Sequence, residues 1–190
     1  MTIGTGTRES GDVSRFELLA SAIAGRSVTI ETTDRRRGVW TDGATIFVNP
    51  DATTTTPLQS VVVQAALLGA GSLDEGILER LARSTRLCRR YLSVEGHRAL
   101  TTLEPMLPPA ARRLCDPGIA ALSASPLHSL AIASGSRLLV DAPEAFGVIR
   151  PRRVRRRTDA AGSDPALTNY QPRSRSRDLL SELDELSSEK

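Results

Sequence analysis

The stretch that decides the fold is Leu58-Gln59-Ser60-Val61-Val62-Val63-Gln64-Ala65-Ala66-Leu67-Leu68-Gly69-Ala70. Only Gln59, Ser60 and Gln64 interrupt its apolar run, and they define no polar face at helical spacing. A helix that is apolar nearly all round is buried on several sides. Gly69 and Gly71 close it, and it falls short of the 18 or so apolar residues of a membrane span. Neighbouring segments must therefore enclose it.

On its N-terminal side, residues 1–12 read as a flexible leader. Ser14 with Glu17 forms a capping box, and Val13 with Leu18 a hydrophobic staple. Phe16, Leu19, Ala20 and Ile23 recur at helical spacing up to Gly25. Residues 27–33 and Thr45–Val48 read as strands. Between them, Val39 and Trp40 lead into Thr41-Asp42-Gly43, where Asp42 is a turn former. Strands this short need a helix to pack on.

On the C-terminal side, Ser72 with Glu75 is a second capping box, before a short helix with Ile77, Leu78 and Leu81 inward. Residues 85–104 form a longer helix. Its apolar face carries Cys88, Leu92, Ala99 and Leu103, with Arg86, Arg90, Ser93, His97, Thr101 and Glu104 on the solvated side. Pro108 and Pro109 allow a further start, Asp116-Pro117-Gly118 a stop, and Leu127–Ala133 one more short helix. Leu138–Val140 reads as a brief extended piece, and Ala142–Ile149 as an irregular closing segment. The expected fold is α+β, a mostly helical domain over residues 13–150 with a small N-terminal sheet or hairpin.

Charge is unevenly spread across the 190 residues. The net +3 conceals residues 149–177, with nine Arg against two Asp, and residues 178–190, with one Lys against five acids. Arg152, Arg153, Arg155, Arg156 and Arg157 crowd into six positions where apolar content collapses. Residues 151–177 thus read as a disordered basic linker. Residues 178–190 read as a short acidic amphipathic segment, with Leu179, Leu183 and Leu186 along one side. With 39 % hydrophobic and 3 % aromatic residues, the core must be aliphatic. Composition excludes collagen, membrane and disulfide-scaffold classes. The absence of an apolar leader points to the cytoplasm.

Candidate chemistry is sparse. Cys88 and Cys115 form no ligand or redox motif and read as reduced, partly buried thiols. His97 and His128 are too few and too far apart for a zinc centre. Asp42, Asp51, Asp116 and Asp141 sit at turns. Gly4-Thr5-Gly6-Thr7 matches no phosphate-loop fingerprint. No catalytic, metal or cofactor residue is assigned, and the arginine cluster is the one strong electrostatic feature. It suits phosphates, or the carboxylates of an acidic protein or of residues 178–190.

Several strings carry a resemblance: Trp40-Thr41-Asp42-Gly43 before Thr45-Ile46-Phe47-Val48, and Val61 to Gly71 before Ser72-Leu73. So do Arg89-Arg90-Tyr91-Leu92-Ser93-Val94-Glu95-Gly96-His97-Arg98-Ala99, Leu107-Pro108-Pro109 and Phe146-Gly147-Val148-Ile149-Arg150-Pro151. Over about residues 13–151 the chain resembles the N-terminal region of actinobacterial NorD/CoxE-like proteins of the nitric-oxide-reductase activation type. The resemblance implies a charged linker, then a von Willebrand factor A (VWA) domain with a DxSxS metal site, and a MoxR-type AAA+ ATPase partner in metalloenzyme maturation. The sequence contains no DxSxS, so the metal function does not carry over. The strand-then-helix order also resembles the start of metallopeptidases whose helix bears His-Glu-x-x-His. Here Val63-Gln64-Ala65-Ala66-Leu67 supplies no ligand, which makes Gln64 a buried amide with a backbone partner.

These readings together imply a non-enzymatic adaptor or scaffold, with a MoxR-type ATPase or a VWA-domain protein as partner and no membrane role. The alternative is a weak, non-specific nucleic-acid-binding or regulatory protein using Arg152–Arg157.

Overall fold

The computed structural model describes residues 16–33, 38–49 and 57–162, with residues 158–162 as helical backbone alone. The fold is α+β and mostly helical. Helix α1 (Glu17–Ala24) precedes strands β1 (Thr29–Thr32), β2 (Trp40–Thr41) and β3 (Thr45–Val48). Helices α2 (Pro57–Gly69), α3 (Glu75–Leu81), α4 (Thr85–Thr102), α5 (Pro109–Arg112), α6 (Pro117–Ala120), α7 (Pro126–Ser134) and α8 (Pro151–Gly162) follow. Two 3-10 turns, Glu104–Met106 and Glu144–Phe146, link the later helices. The chain divides into units of residues 1–159 and 160–190, and all elements but the end of α8 lie in the first.

The strand order is β1-β3-β2, with β1 parallel and β2 antiparallel to β3. The turn between β2 and β3 has the chemistry its sequence predicts. Asp42 Oδ1 accepts the Ala44 and Thr45 amides at 3.0 and 2.8 Å, while Gly43 takes a φ of 102°. Asp42 is thus a turn former, and its carboxylate is occupied locally.

Helix α1 starts later than the Ser14–Glu17 capping box predicts. Glu17 is its first residue, and its carboxylate accepts the Ile30 amide of β1 at 3.0 Å. Ser14 and Val13 lie outside the described residues. The second capping box is also overturned. Helix α3 opens after Asp74, and Ser72 is fully buried with its hydroxyl donated to Glu95. In both cases a side chain suited to a local cap finds a longer-range partner.

Helix α2 is the buried element its composition demands, with every residue from Ser60 to Leu68 inside. It joins α1, β1, β3, α4 and Phe146 in one aliphatic core. A smaller cluster of Ile77, Leu81, Cys88, Tyr91, Leu130 and Ala133 welds α3, α4 and α7. Helix α4 is covered far more completely than its sequence suggests, since all residues from Tyr91 to Leu100 are buried. Gly96 permits this, because a Cβ there would collide with the Phe146 ring. Gly147 likewise lies against the Val39 carbonyl with a φ of 68°.

Leu138–Val140, expected to be a brief extended piece, is not part of the three-stranded sheet, and Leu138 and Val140 are largely exposed. The basic segment departs most from its sequence reading. Its first 12 residues, Pro151–Gly162, are helical, so the expected linker does not begin at 151. Val154 anchors this helix, being 4 % exposed and near Gly43. Pro151 and Val154 face the body while most of the arginines between and after them face water. Residues 163–190 lie outside the described residues, and with them the acidic segment carrying Leu179, Leu183 and Leu186.

Candidate functional site

Two places in the described structure concentrate polar chemistry. The first lies inside, on α4. Glu95 is 0 % exposed and holds Arg98 in a two-pronged ion pair, at 2.7 Å to Nε and 2.5 Å to a terminal nitrogen. Arg98 also donates to the Ala70 carbonyl at 3.1 Å and to Thr102 Oγ1 at 3.3 Å. The Ser72 hydroxyl donates to Glu95 at 2.5 Å, and the Tyr91 phenol donates to the Ser72 carbonyl at 2.8 Å. The knot ties α4 to the turn that closes α2. Hydrogen bonding to Glu95 raises the Arg98 pKa despite burial. Burial, reinforced by Glu95, pushes the Tyr91 phenol far above its usual range. Both groups thus keep their ordinary protonation states, and the phenol is fixed as a donor.

His97 departs from the solvated surface position that its sequence suggests. It is 4 % exposed, packs against Phe146 with ring centroids 4.8 Å apart, and accepts the Asp116 amide at Nδ1, 3.0 Å. Burial lowers its pKa, with Asp116 acting against the shift. Ser93 is buried on the same flank. Helix α6 and the Phe146 turn cover a face that sequence assigned to solvent. Asp116, read as a stop, caps α6 by accepting the Gly118 and Ile119 amides. Gln64 donates to the Phe146 carbonyl at 2.7 Å, so it is a buried amide with a backbone partner. His128 is exposed near the start of α7. Both cysteines are free thiols, and burial pushes that of Cys88 up.

Compared with family models, curated proteins and solved structures, the chain matches none. Among the described residues, no group of three or more His, Cys, Asp or Glu could hold a metal ion. Among the same residues, no helix is long and apolar enough to cross a membrane.

The second place is on the surface, where the N-terminal ends of α4 and α8 approach each other. A groove of about 480 Å³ runs between them, with Arg83, Arg150, Arg152 and Arg153 on its walls. Its apolar lining includes Leu81, Cys88, Ile149 and Pro151. A second groove of about 380 Å³, lined by Arg86, Leu87 and Arg90, shares Ser84 with the first as a lining residue and extends toward the end of α7. No acidic side chain lines either groove. Arg90 is already engaged, donating to the Ala133, Gly135 and Arg137 carbonyls at 2.7–2.9 Å and so capping α7. Arg150 lies over the Trp40 ring at 4.7 Å, and Trp40 in turn stacks on Phe47.

The sequence-predicted arginines divide between two surroundings. Arg152 and Arg153 join the groove, whereas Arg155, Arg156 and Arg157 do not line it. Sequence reasoning missed the contribution of Arg83 and Arg86. Their signal was weak, because single arginines on a helix read as an ordinary solvated face.

Proposed function

We propose that this chain is a non-enzymatic adaptor that works through its basic surface. One observation carries the reading: apart from the Trp40 indole N–H, the buried polar side chains of the described residues have hydrogen-bond partners inside the body. Glu95, Arg98, Ser72, Tyr91, Gln64 and the Nδ1 of His97 are hydrogen-bonded to protein groups. Such groups hold helices in register. Arg86 of α4 and the exposed arginines of α8 remain as the recognition chemistry. The sequence resemblance makes a MoxR-type AAA+ ATPase or a VWA-domain protein the first partner to test, with metalloenzyme activation as the task.

The experiment is co-elution of the full chain with such an ATPase or VWA protein from the same source. A stable complex supports the adaptor role. Elution of the chain alone, together with a shift of a DNA or RNA oligonucleotide that disappears in R155S/R156S/R157S, would replace it with the nucleic-acid reading. The density of arginine on α8 is what favours that second reading, since clustered guanidinium groups neutralise phosphates without regard to sequence.

A further inference from the structure

We propose that the two neighbouring grooves at the start of α4, one against α8 and one against the end of α7, together form a docking site for an acidic, leucine-bearing peptide segment of a partner protein. The inference rests on the adaptor reading and specifies the chemistry its partner must present. Charge supplies half of the argument. Arg86, Arg152 and Arg153 stand around the grooves with no carboxylate among the lining residues, while Arg83 also reaches Glu79 at 3.8 Å on the exposed surface. Arginine forks match carboxylates through paired, charge-assisted hydrogen bonds. The amino-terminal end of the 18-residue helix α4 opens into the same space and favours negative charge there.

The apolar lining supplies the other half and separates peptide from nucleic acid. Leu81, Leu87, Cys88 and Ile149 line the two grooves, and no aromatic ring does. Single-stranded nucleic acid is ordinarily held by bases stacked on aromatic rings. Aliphatic lining with a basic rim instead suits leucines flanked by Glu or Asp, the pattern of an amphipathic segment laid into a groove. Volumes of about 480 and 380 Å³ fall within the roughly 300–1,000 Å³ of sites that enclose small ligands. There is room for several side chains.

The test uses the full chain and a fluorescein-labelled peptide of about 15 residues, alternating leucine pairs with glutamate, at physiological ionic strength. Its counterparts are the same peptide with serine for leucine and a single-stranded oligonucleotide of similar length. The leucine peptide should bind about tenfold more tightly than the serine peptide, since one leucine buried or lost is enough for that factor. R86E/R152E/R153E should weaken it by about tenfold or more, and the neutral R86S/R152S/R153S by less. R156E/R157E, outside the groove, should change it by less than about threefold. Equal binding of leucine and serine peptides would overturn the proposal, as would tighter binding of the oligonucleotide or indifference to the groove substitutions. Peptide binding with no ATPase or VWA complex would leave the groove standing and remove the proposed partner. A complex that survives R86E/R152E/R153E would do the reverse.

Discussion

Replacing Arg98 with Met is the most direct test of how the body is held together. Glu95 is 0 % exposed, and two of the three side-chain hydrogen bonds described for it come from Arg98. The substitution leaves a buried carboxylate with only the Ser72 hydroxyl and strips a donor from the Ala70 carbonyl. Removing one partner of a buried ion pair costs about 3–5 kcal/mol, against a total stability of about 5–15 kcal/mol for a typical domain. For a chain of this size that is a fall in Tm of about 6–20 °C. Urea unfolding followed by Trp40 fluorescence and by circular dichroism measures it. The double variant E95L/R98M removes both charges and should be less destabilised than R98M alone. A cost below about 1 kcal/mol for R98M, or strictly additive effects in the pair, would refute the reasoning.

Three further outcomes follow from the same packing. Gly96→Ala should destabilise by about 1–3 kcal/mol through collision with Phe146, outweighing a gain of about 1 kcal/mol in helix propensity, and a raised Tm would contradict it. Gln64→Leu should cost about 1–3 kcal/mol by leaving the Phe146 carbonyl without its donor, read from the urea midpoint. Because burial lowers the His97 pKa, the unfolded chain binds that proton more readily. Stability should therefore fall as pH drops below about 6.5 and level off beneath the depressed folded value. His97→Asn keeps an acceptor for the Asp116 amide and should flatten that slope, so equal slopes in the two proteins would count against the assignment.

The elements legible in the sequence were those whose signal is local. The Asp42-Gly43 turn, strand β3, the all-round apolar helix α2 and the close of α1 at Gly25 each follow from a few adjacent residues. The candidate sites were less legible. Arg152 and Arg153 stand out by crowding, but Arg83 acquires meaning only when α8 lies beside α4, and Arg86 only when the end of α7 does. The same limit explains the two capping boxes. Glu17 and Ser72 have the spacing of caps, yet β1 and Glu95 compete for them from a distance in the chain.

The sequence by itself determined that residues 58–70 must be enclosed, that the core is aliphatic, and that positive charge concentrates after residue 149. Periodicity and composition are properties of neighbours along the chain, and these conclusions needed nothing else. Only the tertiary structure decided that Tyr91–Leu100 of α4 is buried all round, that Glu95 and Arg98 are paired beneath the surface, and that burial lowers the His97 pKa. It also decided that Val154 seats the basic helix near Gly43. Each depends on what a distant segment lays over a residue, and the free energy of a charge or imidazole is set by that covering and not by its place in a helical wheel.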